Sequence, residues 1–87
     1  MNVNYDNNKN VIKVNTELPG GDRAARKCFI NLTGINVPHI VDKYYQFINP
    51  DGTRVIYRPL GDSGHPKVEI NSQYSLGQGV LEKITFK

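Results

Sequence analysis

Tyr57-Arg58-Pro59-Leu60-Gly61-Asp62-Ser63-Gly64-His65-Pro66-Lys67-Val68-Glu69-Ile70 joins two strand-like runs through a loop rich in glycine, serine and aspartate. If those two runs pair, the chain is built on a sheet. The same stretch gathers Arg58, Ser63, His65 and Lys67 within ten residues. Such a density of titratable and hydrogen-bonding groups suits a phosphate-handling site, and it is equally the composition of a solvated loop. The flanking sequence has to arbitrate.

Upstream, residues 42–48 are aromatic and β-prone, Asn49-Pro50-Asp51-Gly52 has the chemistry of a turn, and residues 53–58 form a return strand. An antiparallel hairpin is expected there. Downstream, 67–70 is a third strand, a polar stretch with Gly77 and Gly79 turns the chain, and 81–87 is a fourth. Period-two alternation then carries a chemical consequence. If Val68, Ile70, Ile84 and Phe86 face the core, Lys67, Glu69, Lys83, Thr85 and Lys87 face the other way. With Val55 and Tyr57 inward as well, Arg54 and Arg58 join that second face, which becomes cationic and hydroxyl-bearing.

Before the hairpin the period is helical. Ala25, Cys28, Phe29 and Leu32 fall at i, i+3, i+4 and i+7, Asp22 suits the N-cap and Gly34 the position after the last turn, so a helix is expected over 22–33. Arg23, Arg26 and Lys27 then form a solvated basic face. Cys28 belongs to the apolar stripe and reads as core rather than nucleophile. Pro38 disfavours helix at Val37, and His39 reads as structural. Residues 1–18 read as a leader or loosely packed N-terminal segment. Five asparagines occupy the first ten positions, and Val11-Ile12-Lys13-Val14 is a short strand or a segment over one end of the core. The domain proper spans 19–87. The fold expected is α+β, an N-terminal helix packed on a four-stranded antiparallel sheet.

Composition narrows the classes. Eighty-seven residues with 38% apolar and 22% charged positions describe one small loop-rich domain. Eleven Lys/Arg against eight Asp/Glu give a net charge of +3, a lean toward anionic partners. One cysteine excludes an intrachain disulfide, and the spacing of Cys28, His39 and His65 fits no zinc pattern, so neither metal nor cofactor is expected. No run of about 18 apolar residues is present, so the domain itself is not expected to insert in a membrane. The start lacks the pattern of a signal peptide, which says little if the chain is a piece of a longer protein.

Cleaving RNA without metal needs a base for the 2′-OH proton, an acid for the leaving 5′-oxygen, and cations around the phosphorane. The 2′-OH is itself the nucleophile. An imidazole ordinarily titrates near neutrality, which makes His65 the candidate for proton transfer. Lys67 lies two residues on, and Arg54, Arg58 and Thr85 are expected to meet it across neighbouring strands; Arg58, Lys67 and Thr85 join His65 as candidate catalytic groups, while Arg54, Ser63, Lys83 and Lys87 are candidate RNA- or phosphate-binding groups. Which residue is base and which acid stays open. Tyr44, Tyr45, Tyr57 and Tyr74 offer stacking surfaces to an enzyme or to a binding module alike.

Gly20-Gly21-Asp22-Arg23-Ala24-Ala25-Arg26-Lys27-Cys28-Phe29-Ile30-Asn31-Leu32-Thr33-Gly34, the hairpin, Tyr57-Arg58-Pro59, Ser63-Gly64-His65-Pro66-Lys67-Val68-Glu69-Ile70 and Leu81-Glu82-Lys83-Ile84-Thr85-Phe86-Lys87 together resemble the C-terminal toxin modules of bacterial polymorphic and contact-dependent growth inhibition toxins. The order of one helix and four strands resembles the barnase/EndoU/colicin/RelE ribonuclease superfamily. That resemblance implies a concave sheet holding the active site, a metal-independent endoribonuclease acting on RNA such as tRNA, and a cognate immunity protein. It also implies delivery within a larger secreted or cell-surface protein to the cytoplasm of a target cell. The alternatives are a non-catalytic basic module that binds RNA or protein, and a deoxyribonuclease toxin.

Overall fold

The computed structural model describes residues 2–6, 11–61, 64–73 and 79–87. Among these, the order of elements is β1 (Asn2–Asp6), β2 (Val11–Leu18), α1 (Gly21–Thr33), β3 (Tyr45–Ile48), β4 (Arg54–Arg58), β5 (Lys67–Gln73) and β6 (Gly79–Phe86). The class is α+β, with one helix on one face of a sheet ordered β1-β2-β6-β5-β4-β3.

The expected four-stranded antiparallel sheet needs correction. Strands β3 to β6 are those four and pair antiparallel, but β2 adds to β6 in parallel, and β1 pairs antiparallel with β2. The sheet is therefore mixed and six-stranded among the described residues, and the helix follows two strands instead of opening the fold. The physical reason is that β6 would otherwise expose a row of unpaired N–H and C=O groups along its second edge. All eight residues of β2 satisfy that edge, from Val11 opposite Gly79 to Leu18 opposite Phe86.

Local chemistry explains the helix and the hairpin. Helix α1 ends where Gly34 takes a left-handed φ of 73° and donates its N–H to the Ile30 carbonyl at 2.7 Å. At its start Asp22 is not the N-cap. Gly20 occupies that position at φ 106°, and no side chain caps the helix. The Asp22 carboxylate is engaged elsewhere, accepting from the Tyr57 hydroxyl and from Arg26 Nε. The turn between β3 and β4 closes through Gly52 N–H to the Asn49 carbonyl, Asn49 N–H to the Thr53 carbonyl and Thr53 N–H to Asp51 Oδ1, each at 2.8 Å.

The core lies between the helix and β4, β5 and β6. Ala25, Phe29, Val37, Val55, Tyr57, Val68, Ile84 and Phe86 are buried, with Cys28, Tyr45, Phe47 and Ile70 packed around them. Leu32, expected on the buried stripe, is 39% exposed. His39 is exposed and takes part in the structure through its carbonyl, which accepts from Arg26.

Candidate nucleic-acid interface

With Val68, Ile84 and Phe86 buried beneath the helix, the intervening residues of each strand occupy the opposite face, and no described helix covers that face. Register arranges it in rows. Arg58, Lys67, Thr85 and Glu17 are consecutive cross-strand partners through β4, β5, β6 and β2. Ile56, Glu69, Lys83 and Asn15 form the next row. Arg54, Asn71, Leu81 and Lys13 form the third. Neighbouring strands lie about 4.8 Å apart, so side chains within a row reach one another and can share a ligand.

The β4–β5 loop sits at the end of the first row. Gly61 N–H donates to the His65 carbonyl at 2.8 Å, Gly64 N–H to the Gly61 carbonyl at 2.9 Å, and Phe86 N–H to the Pro66 carbonyl at 2.9 Å. These bonds tie residues 64–66 to Gly61, just beyond β4, and to β6. Lys67 lies along Gly61, where an added Cβ would meet its Cε at 3.2 Å and the His65 carbonyl at 3.0 Å. The loop can therefore approach Lys67 this closely only because residue 61 has no side chain. His65 is half-buried at this rim.

Electrostatics vary along the row. Arg58 Nε is 3.4 Å from Glu69 Oε1, and its guanidinium lies 5.3 Å from the centre of the Tyr44 ring. Lys87 Nζ is 2.7 Å from Glu17 Oε2. That hydrogen bond, followed by the charge of Lys87, holds the Glu17 carboxyl below its usual range, with a smaller contribution from His65. Glu17 sits in the first row beside Thr85.

Of the residues singled out in the sequence, Arg58, Lys67 and Thr85 therefore share one row, with the loop that carries His65 beyond it, and Lys83 and Arg54 share the face two and four residues further along their strands. Lys87 is committed to Glu17. Ser63 lies outside the described residues, as does Tyr74. Sequence reasoning gave Glu69 no role, although its side chain is only 12% exposed and meets Arg58. Alternation placed Glu69 on this face, but its contact is diagonal across the β4–β5 ladder and needs the register to be seen. Cys28 is half-buried, and its thiol is pushed up, first by burial and then by the charge of Glu82, which disfavours a reactive thiolate. Among the described residues no three His, Cys, Asp or Glu side chains gather as a metal site, and no helix is long and apolar enough to cross a membrane.

No protein-family model, curated protein or solved structure matches this chain.

Proposed function

We propose that the uncovered face binds RNA and that the chain is a metal-independent endoribonuclease, the effector domain of an antibacterial toxin. The observation that supports this most is the Arg58–Lys67–Thr85 row with His65 at its end. A guanidinium, an ammonium and a hydroxyl within three strands suit the equatorial oxygens of a phosphorane, where donors held in place lower the barrier more than they help ground-state binding. In this reading the 2′-OH attacks the adjoining phosphorus as a base removes its proton. The bond to the 5′-oxygen breaks as an acid protonates it, leaving a 2′,3′-cyclic phosphate and a 5′-hydroxyl. His65 serves as one of those two groups, Arg58 and Lys67 face the developing charge, and Thr85, Arg54 and Lys83 position the strand.

The finer fold reading belongs to the same proposal. One helix behind the antiparallel run β3 to β6 is the arrangement that the resemblance to barnase/EndoU/colicin/RelE ribonucleases implies, with β1 and β2 as an addition at the far edge. A tRNA substrate, an acidic immunity protein that covers the cationic face, and delivery to a target-cell cytoplasm follow from that resemblance.

Purified protein incubated with total RNA in EDTA should cut it and leave 2′,3′-cyclic ends, and His65→Ala should lower the rate about 100-fold or more. RNA left intact by abundant wild-type protein would sink the ribonuclease reading. Binding without cleavage would identify a non-catalytic module, and Mg²⁺-dependent cleavage of DNA alone a deoxyribonuclease.

A further inference from the structure

Of the tyrosines whose side chains are described, Tyr57 is fully buried and Tyr45 packs on Phe29 with ring centres 5.7 Å apart. Tyr44 differs from both. It precedes inward-facing Tyr45, its ring meets the Arg58 guanidinium, and the residue is 54% exposed. Since Tyr45 is opposite Tyr57, Tyr44 extends the first row outward from Arg58.

We infer that Tyr44, backed by Arg58, is a stacking subsite for an unpaired nucleobase, and that this face therefore selects single-stranded over duplex RNA. The inference rests on the RNA-binding reading above and adds to it the form of the substrate. Arg58 is held from two directions, by the Tyr44 ring at 5.3 Å and by Glu69 at 3.4 Å, so the platform stands before any ligand arrives. A carboxylate is unfavourable in the middle of a phosphate-binding face, and its place there is explained if it fixes the guanidinium. Two strand spacings, roughly 10 Å, separate Tyr44 from Lys67. That suits a base on the ring with the adjoining phosphate at Arg58 and Lys67. A base within a duplex is already stacked on both sides, so only an unpaired one can use the ring.

The test is binding of a fluorescent 2′-O-methyl RNA of about ten nucleotides, which lacks the 2′-OH nucleophile and stays intact. Its duplex serves as the second probe. Wild type should prefer the single strand. Tyr44→Ala should weaken single-strand binding about tenfold or more and leave duplex binding unchanged, while Tyr44→Phe should stay within about twofold of wild type. Lys67→Ala should weaken both probes. Tyr44→Leu keeps apolar bulk without a π face and repeats the test if the alanine variant unfolds. Undiminished single-strand binding by Tyr44→Ala, or equal loss on both probes, would overturn the subsite and leave the RNA-binding reading standing. If wild type binds neither probe, or binds polyglutamate as tightly as RNA, the RNA-binding reading falls and the subsite with it.

Discussion

At the scale of single residues, Asp22, Arg26 and Tyr57 hold the helix on the sheet. The buried Tyr57 hydroxyl donates to Asp22 Oδ1, Arg26 Nε donates to Asp22 Oδ2 at 2.8 Å, and the Arg26 guanidinium lies 5.2 Å from the Tyr57 ring centre. Arg26 also donates to the carbonyls of Pro38 and His39, which fastens the loop after the helix. Burial first, then the hydrogen bond to Asp22 and its negative charge, push the Tyr57 phenol from its usual 10 up to about 12. Asp22 moves the other way. Burial raises it, but the bonds from Tyr57 and Arg26 and the charge of Arg26 outweigh burial and leave it below its ordinary 3.8. A phenol raised on folding adds stability that is complete below pH 10 and lost as pH climbs to about 12. A lowered carboxyl adds stability that is lost as pH falls below its ordinary range. Tyr57→Phe should therefore cost about 1–2 kcal/mol near neutral pH, the low end for a hydrogen bond to a charged group, because Asp22 stays half in solvent. Thermal melts of both proteins across alkaline pH should show the gap closing as tyrosinate forms. A constant gap would mean that the hydroxyl bond is not what Tyr57 contributes.

At the scale of elements, the helix stop is the cleanest place to intervene. Gly34 sits at φ 73° with open space around its Cα, so Gly34→Ala adds backbone strain without a clash. The expected cost is about 1–2 kcal/mol, read as a lower urea midpoint at unchanged slope. A midpoint equal to wild type would show that the left-handed turn is not needed. Gly34 was legible because a helix stop is written locally, and so was the hairpin, since Pro50 and Gly52 dictate the turn themselves. Strand β2 was half legible. Ile12 and Val14 alternate with Lys13 and Asn15, but no local signal names a parallel partner at the opposite end of the chain. Strand β1 carries asparagines of low strand propensity, and pairing rather than propensity makes it a strand. The candidate site divides the same way. Alternation placed Arg54, Arg58, Lys67, Lys83 and Thr85 on one face, whereas the contacts of Lys87 with Glu17 and of Arg58 with Glu69 depend on which strands are neighbours.

At the scale of the whole molecule, principal extents of 37 × 28 × 20 Å describe a slab, one layer of helix on one wider layer of sheet. The slab is joined near its middle by two strands from opposite halves of the chain, since β2 and β6 lie side by side and run the same way. That geometry decides how the protein bears a mechanical load. Tension applied between Ile12 and Phe86 pulls the strands past each other along their length, so the ladder of eight residue pairs is sheared as a unit rather than unzipped one pair at a time. Tension applied across the antiparallel hairpin, between Ile48 and Arg54 at the turn and their neighbours, has no such parallel arrangement to oppose it. In single-molecule pulling, the Ile12–Phe86 attachment should need a higher force at a given loading rate than attachment at Tyr45 and Tyr57, which are direct partners and separate by peeling. Equal forces would show that the β2–β6 seam is not the part that yields last. A domain joined this way resists load between Ile12 and Phe86 and opens more easily from its β3 edge.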